Sequence, residues 1–160
     1  MLTKTVTVNA AFLQEIKDDD VYLKTLMSKL LETCTTQAAV DREPRLLANF
    51  LDELRDQVAL HFALEEAYGY FDFPTNVSAR FSENAASLRS QHRSLYAEIA
   101  NLAERAADVV GDDVSWEEQA SLIKDLLAQM RDFHKRMSRH EQEEDEMLLE
   151  TYSVDIGGEG

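Results

Sequence analysis

Residues 47–68 read LANFLDELRDQVALHFALEEAY, and this stretch decides the fold. Its apolar residues recur at spacings of three and four, which is the period of a helix rather than of a strand. They are Leu47, Leu51, Leu54 and Val58. The same face then continues with His61 and Glu65, where a simple helical bundle would place leucine. The stretch therefore predicts a helix whose buried face carries ionisable groups.

The helical period extends outward from this stretch over most of the chain. Pro44 suits the first turn of a helix, and Ser115 with Glu118 has the spacing of a capping box, which predicts a helix start near Trp116. These marks divide the chain into four periodic stretches, residues 9–37, 44–72, 78–110 and 116–152. Because short connections favour antiparallel neighbours, we predict an all-α, up-down-up-down antiparallel four-helix bundle.

Length and charge limit the class of protein. The 160 residues fit one domain, which we place at 1–152, followed by a flexible tail over 153–160. The 31 acidic and 16 basic residues give a net charge of −15, which opposes binding to nucleic acid and to anionic membranes. No apolar run approaches the ~20 residues of a membrane span, and the N-terminus lacks the apolar region of a secretory signal. We therefore expect a cytoplasmic protein.

Ionisable residues interrupt the apolar face of every stretch. Asp20 interrupts the first, His92 the third, and His140 with Glu144 the fourth. Asp20 lies as far from the predicted end of its helix as His61 lies from the start of the next, so the two are level in an antiparallel pair. At a helical rise of about 1.5 Å per residue, His92 is offset by ~4.5 Å from His61, and His140 by ~9 Å from His92.

The convergence of acids and imidazoles at one depth indicates a bound cation. Several buried carboxylates are unfavourable together unless an opposite charge accompanies them, and a divalent or trivalent ion supplies that charge. His61 with Glu65 and His140 with Glu144 are i, i+4 pairs, so both members of each pair lie on one helix face. Imidazole with carboxylate suits iron, manganese or zinc. Two carboxylates among three histidines fit a pair of bridged ions better than one ion.

Three segments resemble helices two, three and four of the hemerythrin-like (HHE cation-binding) domains: LRDQVALHFALEE, SLRSQHRSLYAEI and MSRHEQEEDEMLLE. The resemblance covers nearly the whole chain. It implies a four-helix bundle around a non-haem, usually dinuclear iron centre. It also implies that His61, His92 and His140 are terminal ligands and that two carboxylates bridge the metal ions, namely Glu65 and Glu144.

The chain departs from the family's pattern at two positions. Asp20 stands where the first helix usually offers a histidine, which makes Asp20 a candidate ligand; alternatively, the run of three aspartates is a solvated turn of helix. Tyr96 stands where the oxygen-carrying hemerythrins have a second histidine on helix three. Its phenol is a possible ligand or a hydrogen-bond donor to a metal-bound group. On the fourth helix, periodicity favours Glu144 over Asp145, because four residues turn about 400° and return to the same face.

Each polar residue also has an interpretation without metal. His61 and His140 are alternatively core residues that hydrogen-bond to the glutamate four positions later. His134 lies about 120° around the helix from His140 and hence off the buried face. The remaining acidic residues near the motifs are expected on the solvated surface, namely Glu66, Glu141, Glu143 and Asp145.

Three functions follow from these residues. A shell of three histidines with two or three carboxylates favours oxygen or peroxide chemistry over reversible oxygen carriage. The leading hypothesis is a di-iron protein for sensing, storage or detoxification of iron, oxygen, nitric oxide or peroxide, with a small diatomic or peroxide ligand at the metal. The alternatives are a di-iron oxidase or peroxidase with Tyr96 near the reactive iron, and a metal-free bundle whose acidic surface binds a basic partner.

Overall fold

A computed structural model of the chain shows four helices among the residues that it describes. The structure describes residues 18–32, 43–67, 79–111 and 113–157. Helix α1 covers 18–32, and the other three are α2 (Pro44–Ala67), α3 (Ala79–Val109) and α4 (Trp116–Gly157). No strand occurs within these ranges. The predicted all-α four-helix bundle is therefore confirmed.

Side-chain pairs between α3 and α4 show that the two helices run antiparallel. In the first half of α3, Gln91 lies 3.4 Å from Glu143, which is in the second half of α4. At the other end, the side chain of Gln119 donates to the carbonyl oxygen of Val109 at 3.1 Å. The partner's number falls as the number on α3 rises, which is the pattern of neighbours joined by a short connection.

Helices α1 and α2 are antiparallel by the same criterion. The hydroxyl of Tyr22 donates to a carboxylate oxygen of Glu53 at 2.7 Å, and the amide of Gln57 donates to Asp19 at 3.1 Å. The first described turn of α1 therefore lies beside the second half of α2. This places the aspartates of α1 at the depth of the histidine and glutamate of α2.

Local signals set the helix starts. Helix α2 begins at Pro44, where the missing N–H costs nothing and φ is already helical. The backbone N–H of Glu118 donates to Oγ of Ser115 at 3.3 Å, so the start of α4 at Trp116 is as predicted. The two acids of its first turn, Glu117 and Glu118, favourably face the positive end of the helix dipole.

The bundle interior divides into an apolar half and a polar half. The half near the α3–α4 connection is packed with side chains that are almost wholly buried, among them Leu51, Leu102, Ile123, Leu126 and Phe133. The half near the ends of α2 and α4 instead holds the buried histidines and glutamates. The apolar half holds the helices together, and the polar half is where the site lies.

The predicted helix bounds differ from the structure in places. Helix α4 continues to Gly157, past the predicted end at 152, while the flexibility of 153–160 stays a prediction. The predicted first and second helices also include residues 9–17, 33–37 and 68–72, which lie outside the described ranges. No helix in the described part of the chain has the length and apolar character needed to span a membrane.

Candidate metal centre

Three helices contribute five buried polar side chains to the polar half of the bundle. They are His61, Glu65, His92, His140 and Glu144, each no more than 4% exposed. All five are residues predicted as ligands. Because polar groups are rarely buried without partners, their shared burial demands a physical explanation.

Four of these side chains form one group. Glu65, His92, His140 and Glu144 each offer a ligand atom, and these four atoms lie within 4.8 Å of one another. Nε2 of His140 lies 2.5 Å from Oε1 of Glu144, and Nε2 of His92 lies 3.1 Å from the same oxygen. Nε2 of His92 is also 3.5 Å from Oε2 of Glu65. The group therefore joins α2, α3 and α4 at one point.

A second group lies beside the first, on the α1 side. Asp20, His61 and Glu141 each offer an atom within 4.8 Å of the other two. Nε2 of His61 contacts Oε1 of Glu65, so the two groups adjoin through that pair. Asp20 also forms an ion pair with Lys24 at 2.9 Å, and its side chain is 28% exposed. The structure thus brings all six carboxylates and imidazoles predicted as ligands into two adjoining groups.

Glu141 corrects one expectation. We expected it on the solvated surface, but its side chain is only 12% exposed and it lies 3.7 Å from His61. Residue 141 is turned about 100° around the helix from His140. That rotation directs Glu141 to α1, while His140 is directed to α3. Asp145, by contrast, is exposed, and Glu144 is the residue inside the group, as the helical period favoured.

Each histidine of the centre has an outer partner at its other ring nitrogen. Nδ1 of His61 lies 3.0 Å from Asp19, and Nδ1 of His92 lies 3.2 Å from Glu66. Nδ1 of His140 lies 2.8 Å from the side-chain oxygen of Gln91. A carboxylate or amide oxygen only accepts, so each Nδ1–H donates. Nε2 then carries the lone pair in the neutral ring, which is the arrangement of histidines that bind metal.

Sequence reasoning missed these outer partners. Asp19, Glu66 and Gln91 each stand next to a predicted ligand in the chain, but each bonds to a histidine of a different helix. Glu66 had been expected on the solvated surface; its side chain is 39% exposed and still reaches His92. The one feature of the sequence that could have indicated these partners is that each is a chain neighbour of a predicted ligand.

Electrostatics show how the acids and imidazoles hold together without a metal. Burial alone lowers the pKa of His61, but the close contact with Glu65 and the charges of Glu65 and Glu141 outweigh burial and raise that pKa to about 9. The pKa of His92 is likewise lowered by burial, yet Glu144 and Glu65 raise it to about 9. Burial raises the pKa of Glu65, while the adjacent imidazoles of His61 and His92 overcome this and lower it. Protons on the imidazoles thus balance the buried carboxylates.

The hydrogen-bond inventory tests whether a metal fits. Several buried atoms have no partner of acceptable geometry among the described residues: Nε2 of His61 and of His140, both carboxylate oxygens of Glu65, and Oε1 of Glu141. Leaving one buried polar group unsatisfied costs about 1–3 kcal/mol. Each of these atoms belongs to a residue of one of the two adjoining groups. A cation there would satisfy them together, and a set of nitrogen and oxygen donors suits iron, manganese or zinc.

Phe62 fixes two of the imidazole rings. Its ring stacks on that of His92 with centroids 3.9 Å apart and planes within 9°. It meets the ring of His140 edge-on at 5.6 Å. Phe62 is 5% exposed. The apolar ring therefore shields the centre from water and limits rotation of both imidazoles.

Tyr96 lies apart from the buried centre. Its side chain is 42% exposed and lines a surface pocket between α2 and α3, to which Arg89, Arg93 and His92 also contribute. The structure therefore does not bring Tyr96 into either group. His134, half-buried, also lies outside both, as its position on the helix predicts.

The comparisons with known proteins agree with the geometry. The family model described as the hemerythrin HHE cation binding domain matches residues 11–152, which is most of the chain. No curated protein and no solved structure matches the chain significantly.

Proposed function

Because the chain belongs to the hemerythrin HHE cation-binding family, we propose that it is a non-haem di-iron protein. Its role is sensing, storage or detoxification of iron, oxygen, nitric oxide or peroxide, with manganese or zinc as the alternative metals. The observation that carries the proposal is a set of buried ligand atoms that make no hydrogen bond of acceptable geometry among the described residues, on His61, Glu65 and His140. Ligands awaiting a cation account for these atoms; a self-sufficient polar core does not.

The proposed ligands are the six predicted from the sequence. Three are histidines and three are carboxylates, namely His61, His92, His140, Glu65, Glu144 and Asp20. The shared contact of Glu65 with His61 and with His92 supports a bridging role for this carboxylate. When bound, iron would supply redox chemistry toward a small diatomic or peroxide ligand.

The chain's own residues orient and shield the ligands. Asp19, Glu66 and Gln91 accept from Nδ1 of the three histidines and thereby hold Nε2 toward the interior. Two surface pockets reach the centre: one has His92 in its wall and the other has His140. We propose these pockets as the routes by which a small ligand approaches.

The structure bears differently on the two alternative functions. The oxidase or peroxidase alternative gave Tyr96 a role near the metal, and an exposed ring in a pocket wall does not favour that role. The metal-free alternative is favoured by the imidazole–carboxylate pairs, since protonated His61 and His92 balance buried charge. It leaves unexplained why neither carboxylate oxygen of Glu65 makes a hydrogen bond of acceptable geometry among the described residues.

Elemental analysis of freshly purified protein, with an optical spectrum, tests the proposal. We expect about two metal ions per chain and absorption from a bridged iron pair. His61→Ala and Glu144→Ala should each lose more metal than His134→Ala, a matched control outside both groups. Equal metal content in the three variants would refute the ligand assignment, and a wild-type chain without metal would refute the proposed function.

A further inference from the structure

The two groups of the centre differ in their donor atoms. Glu65, His92, His140 and Glu144 offer two imidazole nitrogens with two carboxylates. Asp20, His61 and Glu141 offer one imidazole nitrogen with two carboxylates. The second group is thus richer in oxygen, and two of its three members come from α1 and from the α1-facing side of α4.

The second group also contains buried atoms that lack partners. Nε2 of His61 has no hydrogen bond of acceptable geometry, and the side chain is 3% exposed. Oε1 of Glu141 is likewise without one and lies 3.7 Å from that nitrogen. With Asp20, these two residues form a group whose ligand atoms lie within 4.8 Å of one another. The group is more than a cluster of acidic residues, because the imidazole nitrogen of His61 is itself a common metal ligand.

We propose that Asp20, His61 and Glu141 form a separate, oxygen-rich metal position that binds its ion more weakly than the position at His92 and His140. The inference rests on the proposed function and adds Glu141 to its ligands. Glu141 follows His140 directly, so one turn of α4 serves both positions: one residue is directed to α3 and the next to α1. Glu65, in contact with His61, lies between them.

Donor chemistry sets the preference of each position. Carboxylate oxygens are hard donors and suit hard cations such as Mn²⁺, whereas imidazole nitrogens suit zinc and ferrous iron. The second position should therefore accept Mn²⁺ or ferric iron and discriminate less in favour of zinc. The two positions would load unequally even with Mn²⁺, because the position at His92 and His140 offers four ligand residues and the second position offers three.

Lys24 weakens the second position further. Its ammonium lies 2.9 Å from Oδ2 of Asp20, so a cation at that oxygen would meet a like charge. A cation that binds there either displaces the ammonium of Lys24 or binds with lower affinity because the two like charges repel. Lys24 is more than half exposed, so its side chain has room to move away.

Titration of the chelator-treated full chain with Mn²⁺ alone tests the proposal. Electron paramagnetic resonance measures free Mn²⁺ and also detects coupling between two bound ions. We expect two ions per chain, one tight and one weaker. In Glu141→Gln, which keeps the side-chain shape, the first step should be unchanged and the second weakened by more than about 10-fold. The spectrum of Glu141→Gln should be that of an isolated Mn²⁺ ion rather than of two coupled ions. The control is Glu146→Gln, an exposed change on the same helix, which should bind Mn²⁺ as wild type does.

A second variant changes the affinity in the opposite direction. Lys24→Gln removes the like charge beside Asp20 and should tighten the second step about 5-fold, while Lys124→Gln on α4 should not. Circular dichroism confirms that every variant is folded. A tighter second step in Lys24→Gln with a weaker one in Glu141→Gln supports the position from both directions.

The outcomes separate this inference from the proposed function. If wild type binds neither Mn²⁺ nor iron, the proposed function fails. If wild type binds two ions and folded Glu141→Gln binds both unchanged, the metal centre stands and the inference is wrong. Loss of both ions from folded Glu141→Gln would also overturn it, because the positions would then not be separate.

Discussion

At the scale of single residues, the histidines of the centre use their two nitrogens for different purposes. Nδ1 is held by Asp19, Glu66 or Gln91, and Nε2 is directed to the shared carboxylates. A single histidine on each of three helices can therefore present one oriented Nε2 to the centre. The outer partner orients the ring before any ligand arrives, so less conformational entropy is lost on binding.

Removal of an outer partner should weaken metal binding without removing a ligand. Asp19→Ala deprives Nδ1 of His61 of its acceptor, and we expect metal affinity to fall roughly 10–100-fold. Competition with a chelator of known affinity measures this change. Asp18→Ala, an exposed neighbour, is the control. Identical affinities in the two variants would show that Asp19 does not orient His61.

The pH dependence of the metal-free protein follows from the raised pKa values. His61 and His92 have ordinary values of 6.5 and folded values of about 9. Their contribution to stability is therefore complete below pH 6.5 and is lost as pH rises through 9. Burial and the neighbouring Asp20 raise the pKa of Glu141 from 4.5 to about 8. The contribution of this carboxyl to stability is therefore also lost as pH rises, between pH 4.5 and 8.

We therefore expect the free energy of unfolding of the metal-free chain to decrease from pH 6.5 to 9. Denaturant titrations at several pH values measure it. In the metal-loaded chain the imidazoles are unprotonated, so this decrease should be absent there. A metal-free chain whose stability is constant or rises over the same interval would contradict the protonated pairs.

At the scale of elements, α4 explains both what the sequence predicted and what it missed. The period of three and four placed His140 and Glu144 correctly on a buried face. The same reasoning assigned α4 a single buried stripe, although in a bundle the helix contacts two neighbours. The side chain of Glu141 is only 12% exposed because Asp20 of α1 and His61 of α2 lie beside it. Burial on two sides of α4 depends on how all the helices pack together. The spacing of residues along a single helix carries no information about that packing.

The start of α4 offers a test of local stability that is independent of the metal. Ser115→Ala removes the acceptor for the N–H of Glu118 and should cost about 1 kcal/mol. Thermal unfolding measures this cost, and metal content should not change. Ser121→Ala, at an exposed position within α4, should be neutral or slightly stabilising because alanine favours helix. An unchanged melting temperature in Ser115→Ala would refute the capping role.

At the scale of the whole molecule, the chain keeps its apolar packing and its polar site in separate halves of one bundle. Periodicity, capping and short connections predicted this bundle, because each is a local property of the chain. The site was predicted as far as residues on buried faces are concerned. Asp19, Glu66 and Gln91 were not, because their roles depend on which helix lies opposite, and the exposure of Tyr96 depends on the angle between α2 and α3.

The charge of the whole chain also bears on the centre. A net charge of −15 favours the approach of cations and opposes the loss of bound ones. Buried carboxylates add to this charge, and only protons on the imidazoles or a metal ion reduce it inside the bundle. On the proposed function, the same interior would have a protonated state and a metal-bound state, and metal binding would release protons.

Anomalous diffraction at the iron absorption edge, from crystals grown with ferrous iron in the absence of oxygen, tests the central claim most directly. We predict two peaks in the polar half of the bundle, one beside His92 and His140 and the other beside His61, with Glu65 between them. A well-ordered centre without an anomalous peak, in which only water and mutual hydrogen bonds join these side chains, would contradict the account.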